Sequence, residues 1–167
     1  MKKNFFMLMV LCLPFLSLAQ TEADIDGFRG LKWDTPKSEF QFELVKSKNK
    51  TPGYQGFDRV DEHLTFEGVK AHVITYVFDG ETFVGINIGI EKQDLESVLN
   101  AFKIKYGEPI VKDTPFLINY EYYLEKTMIS ITFFPMMEGT KTVSIGMGKL
   151  QKIHERGKND KSVKLRF

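Results

Sequence analysis

Two histidines fall close enough together to suggest chemistry. His63 and His72 flank the dipeptide Glu67-Gly68. If that dipeptide forms a two-residue hairpin turn, residues whose numbers sum to 135 face one another, which sets His63 opposite His72. Asp61 then lies two residues along on the same strand face. Two imidazoles and a carboxylate on one face could hold a divalent metal such as zinc with a position open for water, the arrangement of a metal-dependent hydrolase. Against that stands a plain alternative, a solvated sheet face of the kind antiparallel sheets often present. No HExxH spacing supports a metalloprotease, no GxSxG supports a nucleophile elbow, and no glycine loop is laid out for phosphate. The sequence therefore names no catalytic residue and calls for no cofactor.

A second group of residues suggests recognition. Asp79-Gly80 separates two β-rich runs, VKAHVITYVF and ETFVGINIGI, and reads as a tight hairpin turn. With Asp79 and Gly80 at its centre, Val77 faces Thr82, Thr75 faces Val84, Val73 faces Ile86 and Ala71 faces Ile88. These form one mostly apolar face for a helix to cover. Ile74, Tyr76 and Phe83 then project from the other face. Further on, if Leu124 pairs with Thr127, Tyr123 and Met128 share a face with Glu121, Ser130, Asn119 and Thr132. Ile118, Tyr120, Tyr122, Ile129, Ile131 and Phe133 form the opposite, core-like face. An aromatic cluster of Ile74, Tyr76, Phe83, Tyr123 and Met128 with a polar rim is a candidate binding surface for a protein, peptide or lipid. The alternative is that the first helix or the tail covers those aromatics as a second small core.

The elements that must position these groups follow from periodicity. Leu95, Val98, Leu99, Phe102 and Tyr106 recur at helical spacing, and Gly107 with Pro109 ends the run. This predicts the main helix over 94–106, packed on one face of a sheet. Thr35-Pro36 reads as a helix start, with a first helix running through Phe40 and Leu44. Ser47 to Gly56 reads as a loop. The expected fold is α+β: an antiparallel sheet of about five to six strands with two helices, from two similar halves that suggest a duplicated helix-plus-three-strand unit.

The N-terminus carries an address. Lys2 and Lys3, the apolar run Phe5 to Leu16 and the small-residue site Ser17-Leu18-Ala19 have the form of a cleavable export signal. Cleavage leaves a single domain over 20–148 and a basic tail over 149–167. The one cysteine, Cys12, departs with the signal, so thiol chemistry and disulfides are not expected in the mature chain. No later run is long enough to span a membrane. From Gln20 to Gly148 there are 14 Lys and Arg against 20 Asp and Glu, whereas Lys149 to Phe167 has 7 basic and 2 acidic residues. An exported protein with an acidic body and no stacking motif is not expected to bind nucleic acid. The tail could sit near anionic lipid, which supports a third reading as a structural envelope component. Periplasmic or secreted is the expected location. Asn49-Lys50-Thr51 matches a glycosylation sequon, but a bacterial-type signal argues against its use.

FRGLKWDTPKSEF resembles the opening of a class of small exported bacterial proteins that begin G-φ-x-W-G-T/M-S-x-E-φ. KYGEP closing a helix before paired aromatic strands is also similar to them. Their layout is distantly similar to outer-membrane assembly lipoproteins and β-lactamase inhibitor proteins. Asp34 stands where the class usually has glycine. The resemblance implies a binding or assembly role in the cell envelope and no catalytic residue.

Overall fold

The computed structural model describes residues 23–24, 26–49, 53–135 and 141–150. The expected signal (1–19), the tail from 151 onward, and Lys50 and Thr51 of the sequon lie outside the described residues. Three two-residue strands, β1 (Ala23–Asp24), β2 (Gly27–Phe28) and β3 (Leu31–Lys32), form a small sheet. Nine more form the main antiparallel sheet. They are β4 (Leu44–Lys46), β5 (Gln55–Arg59), β6 (Thr65–Phe66), β7 (Val69–Asp79), β8 (Thr82–Glu91), β9 (Ile110–Asp113), β10 (Ile118–Tyr123), β11 (Thr127–Phe133) and β12 (Thr142–Lys149). Their order is β4-β5-β7-β8-β12-β11-β10-β9, with β6 pairing β7 off that path. A single α-helix among the described residues, α1 (Leu95–Tyr106), follows β8. The second meander then begins at the far edge with β9 and works inward until β12 meets β8.

This overturns the expected α+β fold of five to six strands and two helices: the chain is predominantly antiparallel β. The helix expected from Thr35 does not form, because its backbone groups are taken by β8 and the turn just before it. Asp34 N–H donates to the Phe83 carbonyl at 2.8 Å, Phe83 N–H to the Thr35 carbonyl at 3.0 Å, and Lys37 N–H to the Glu81 carbonyl at 2.7 Å. Only a 3-10 turn, Lys37–Glu39, remains. Phe40 and Phe42, two residues apart, both pack on the core, as they can from extended chain but not from one stripe of a helix. Asp34 itself has φ 70°, a left-handed conformation that glycine adopts readily and Asp or Asn tolerates.

The ladders line side chains up across the sheet. On one face, Tyr122, Ile129, Met147, Ile86, Tyr76 and Phe57 form one row, and Tyr120, Ile131, Ile145, Ile88 and Ile74 the next. Most of these are fully buried. Helix α1 contributes Val98 and Phe102 to this core, with the Phe102 ring 5.5 Å from Tyr122 and 5.8 Å from Phe66. The 26–44 segment brings Phe40 to 5.3 Å from Phe78, Phe42 to 5.6 Å from Tyr76 and Trp33 to 5.0 Å from Phe83. Each such side chain contributes roughly 1.5–3 kcal/mol by leaving water. At the central seam a Cβ on Gly85 would lie 2.7 Å from the Met147 carbonyl oxygen, so glycine lets β8 and β12 close.

Candidate functional site

The other face of the same sheet is built differently. Reading across its ladders, one row runs Tyr123, Met128, Gly148, Gly85, Val77 and Gly56. The next runs Glu121, Ser130, Gly146, Asn87, Thr75 and Asp58. A third runs Asn119, Thr132, Ser144, Gly89 and Val73. The two central strands thus give this face a floor of four glycines with Asn87 and Ser144 among them. Taller side chains of β7 and β11 stand on either side, one row apolar and two largely polar.

Glu121 is the densest polar point of that face. It is 4% exposed, yet it is met by three donors. Its Oε1 accepts from Lys112 Nζ at 2.6 Å and Asn119 Nδ2 at 2.8 Å, and its Oε2 accepts from the Tyr123 hydroxyl at 2.6 Å. The Asn119 side-chain oxygen, Oδ1, in turn accepts from the hydroxyls of Ser130 at 2.7 Å and Thr132 at 3.1 Å. Burial pushes the Glu121 carboxyl up, but the hydrogen bonds from Lys112, Tyr123 and Asn119 outweigh it and hold the group below the usual carboxylate range. The same contacts raise Lys112 and Tyr123. The cluster is an ionised, satisfied network across three strands, which fixes the positions of the Lys112 and Tyr123 tips. Across the floor, Thr75 donates to Asp58 at 2.7 Å and lies 3.3 Å from the Ser47 hydroxyl, tying β5, β7 and the loop after β4 together.

The residues expected to form one aromatic surface are divided between the two faces. Tyr123, 46% exposed, and Met128, only 9% exposed, lie on the glycine-floored face, in the β10–β11 register expected. Ile74, Tyr76 and Phe83 do not: they are buried in the core beneath the 26–44 segment. The Asp79-Gly80 hairpin turns one residue later than expected, with Asp79 opposite Thr82, and carries irregularities at Val77/Phe78 and Ala71/Val73. These set Ile74 opposite Ile88 and Tyr76 opposite Ile86. An odd shift in register exchanges the faces of β7 relative to β8.

The expected metal residues are also separated. Glu67 and Gly68 do form the turn, both at positive φ, and Thr65 opposite Lys70 keeps the expected register. The β6–β7 ladder stops at that pair, and His72 falls in the irregularity beyond it. His72 Nε2 lies 3.2 Å from Glu91 Oε1. Asp61 is held at the surface by Arg59, at 2.7 and 3.2 Å, and His63 is exposed. Among the described residues no three His, Cys, Asp or Glu side chains come together as a metal set.

One polar cluster escaped the sequence reading. Arg29 pairs with the buried Glu62 carboxylate and donates to the carbonyls of His63, at 3.0 Å, and Thr65. The buried Tyr76 hydroxyl donates to the second oxygen of Glu62 at 2.7 Å. Burial and the Glu62 carboxylate raise the Tyr76 phenol far above its ordinary value. The contacts join positions 29, 62 and 76, and no local pattern announces them. Against protein-family models, curated proteins and solved structures alike, the chain finds no match.

Proposed function

We propose that this chain is an exported, non-enzymatic binding or assembly module of the bacterial cell envelope that holds its partner on the glycine-floored face of its sheet. One observation carries the reading. The buried Glu121 commits both oxygens to Lys112, Asn119 and Tyr123, so its charge serves to order a surface. Beside it stands Tyr123, 46% exposed, next to Met128 and Val77, which are 9% and 5% exposed. Ordered polar groups next to an exposed aromatic ring suit recognition, because little side-chain freedom remains to be lost on binding. The export-type N-terminus and the acidic body with a basic tail agree with an envelope site of action.

The test is capture from an envelope extract with wild-type protein, a Tyr123→Ala, Met128→Ser double variant, and an Ile104→Ala control on the outer side of α1. Capture of the same molecule by wild type and control, lost in the double variant, is the expected result. Capture unaffected by the double variant removes the face from the proposal. A substrate turnover abolished by one substitution overturns the non-enzymatic reading.

A further inference from the structure

The proposed face says nothing of the sheet's borders, and one border is built unlike the other. Strand β9 is the outermost strand, with β10 as its one neighbour among the described residues, so its outward backbone N–H and C=O groups meet no described strand. It is also apolar toward water: Ile110 is 56% and Val111 54% exposed, and Phe116 at the tip of the β9–β10 turn is 72% exposed. Natural sheets often guard such an edge with charged side chains, lysine above all. Here the lysine of the strand, Lys112, is drawn back onto the sheet by Glu121 at 2.6 Å. The opposite border, β4, is one residue shorter, exposes one large apolar side chain, Val45 at 46%, and ends in the exposed Lys46, which has no carboxylate drawing it back among the described ion pairs. The β9 backbone is also held in place. Thr114 N–H donates to the Leu117 carbonyl at 2.9 Å, and the Thr114 side chain bonds Leu117 in both directions, at 3.0 and 3.1 Å.

We propose that β9 takes up an extended segment of a partner polypeptide by strand addition, and that the segment alternates apolar and basic residues. The alternation follows from the edge. Ile110 and Lys112 lie on one face of the strand, where apolar side chains suit Ile110 and the stem of Lys112, and Val111 and Asp113 lie on the other, where basic side chains suit Asp113. Asp113 is exposed and, among the described residues, has no ion-pair partner, while Lys112 is already neutralised by Glu121. The charge left to complement is negative. A second copy of β9 is a poorer occupant. Antiparallel self-pairing sets Ile110 against Asp113, or Lys112 against Lys112, or draws in Pro109, which lacks an N–H. Main-chain hydrogen bonds would supply affinity and the exposed side chains selectivity.

The experiment is an NMR titration of the full protein with the synthetic peptide acetyl-Val-Arg-Val-Lys-Val-amide. The expected result is saturable shifts centred on the amides of 110–113. Affinity should fall roughly tenfold or more with Val111→Lys, with Asp113→Lys, and with the same peptide N-methylated at alternate residues. Unchanged circular dichroism of the two variants shows that the fold is kept. Equal binding by the N-methylated peptide overturns strand addition, since charge alone then suffices. Shifts centred elsewhere overturn the site. Self-association abolished by Val111→Lys assigns the edge to a second copy and overturns the proposal. So does peptide binding that appears only after Val163, Leu165 and Phe167 are changed to serine, since the chain's own Val163-Lys164-Leu165-Arg166-Phe167 alternates apolar and basic residues and is then the occupant.

Discussion

Trp33 donates its indole N–H to Thr127 Oγ1 at 2.7 Å, across 94 positions of sequence, with both residues buried. The contact fastens the segment that covers the β7–β8 half of the core to the start of β11 in the other half. Nearby, Lys149 Nζ lies 2.5 Å from Asp34 Oδ2 and Leu150 N–H donates to the Lys126 carbonyl at 2.9 Å. The end of β12 is thus held beside the same point.

Thr127→Val should therefore destabilise the protein by about 1–2 kcal/mol, because the indole N–H is left buried without its acceptor at nearly unchanged volume. Thr127→Ser retains the oxygen and should cost less. Urea midpoints of the two variants against wild type check this. No loss in Thr127→Val, which keeps the methyl group and lacks only the hydroxyl, would show that the indole hydrogen bond contributes nothing to stability.

Glu121 makes stability depend on acid. Its folded-state pKa lies below the value of 4.5 expected for the unfolded chain. The folded state therefore binds its proton less readily. Its contribution is complete above that unfolded value and is lost as pH falls through the folded one. Glu121→Gln should lower stability at pH 7 by about 1–2 kcal/mol, through weakened charge-assisted hydrogen bonds. It should also flatten the decline below pH 4.5. Urea midpoints measured from pH 7 to pH 3 in both proteins provide the check. Parallel curves would show that other carboxylates govern the acid limb.

What the sequence disclosed depends on whether a strand has one buried face. In β10 and β11, tyrosines and isoleucines alternate with polar residues, and only one register buries Tyr122, Ile129 and Ile131 together; it was legible. In β7 and β8 both faces carry apolar or small residues, so alternation could not fix the register, and the irregularity at Val77/Phe78 moved Ile74 and Tyr76 into the core. All four residues of β9 are exposed, so burial left no pattern there to read. The stretch at 35–44 failed for a different reason. Thr35-Pro36 is a sound helix start in isolation, but pairing with Phe83 competes for the same backbone groups. Half of the proposed face, Tyr123 and Met128 with the Glu121 row, was visible because it shares the legible hairpin. The glycine floor was not, since it depends on β12 returning to lie beside β8.

Two buried tyrosines should respond in opposite ways to loss of their hydroxyls. The Tyr122 hydroxyl is buried among Phe102 and Tyr106 without a hydrogen-bond partner among the described residues, and burial is the main cause that pushes its pKa up to about 12. Tyr122→Phe removes an unsatisfied polar atom and should be neutral or stabilising by up to about 1 kcal/mol. The Tyr76 hydroxyl instead donates to a buried carboxylate, Glu62, that is also bound by Arg29. Tyr76→Phe takes a donor from that charge and should destabilise by about 1–3 kcal/mol. Thermal unfolding of the two variants under identical conditions separates the cases. If both lose stability equally, then the Tyr122 hydroxyl has a partner in solution, such as a buried water, and the aromatic cluster beneath α1 is less dry than its geometry implies.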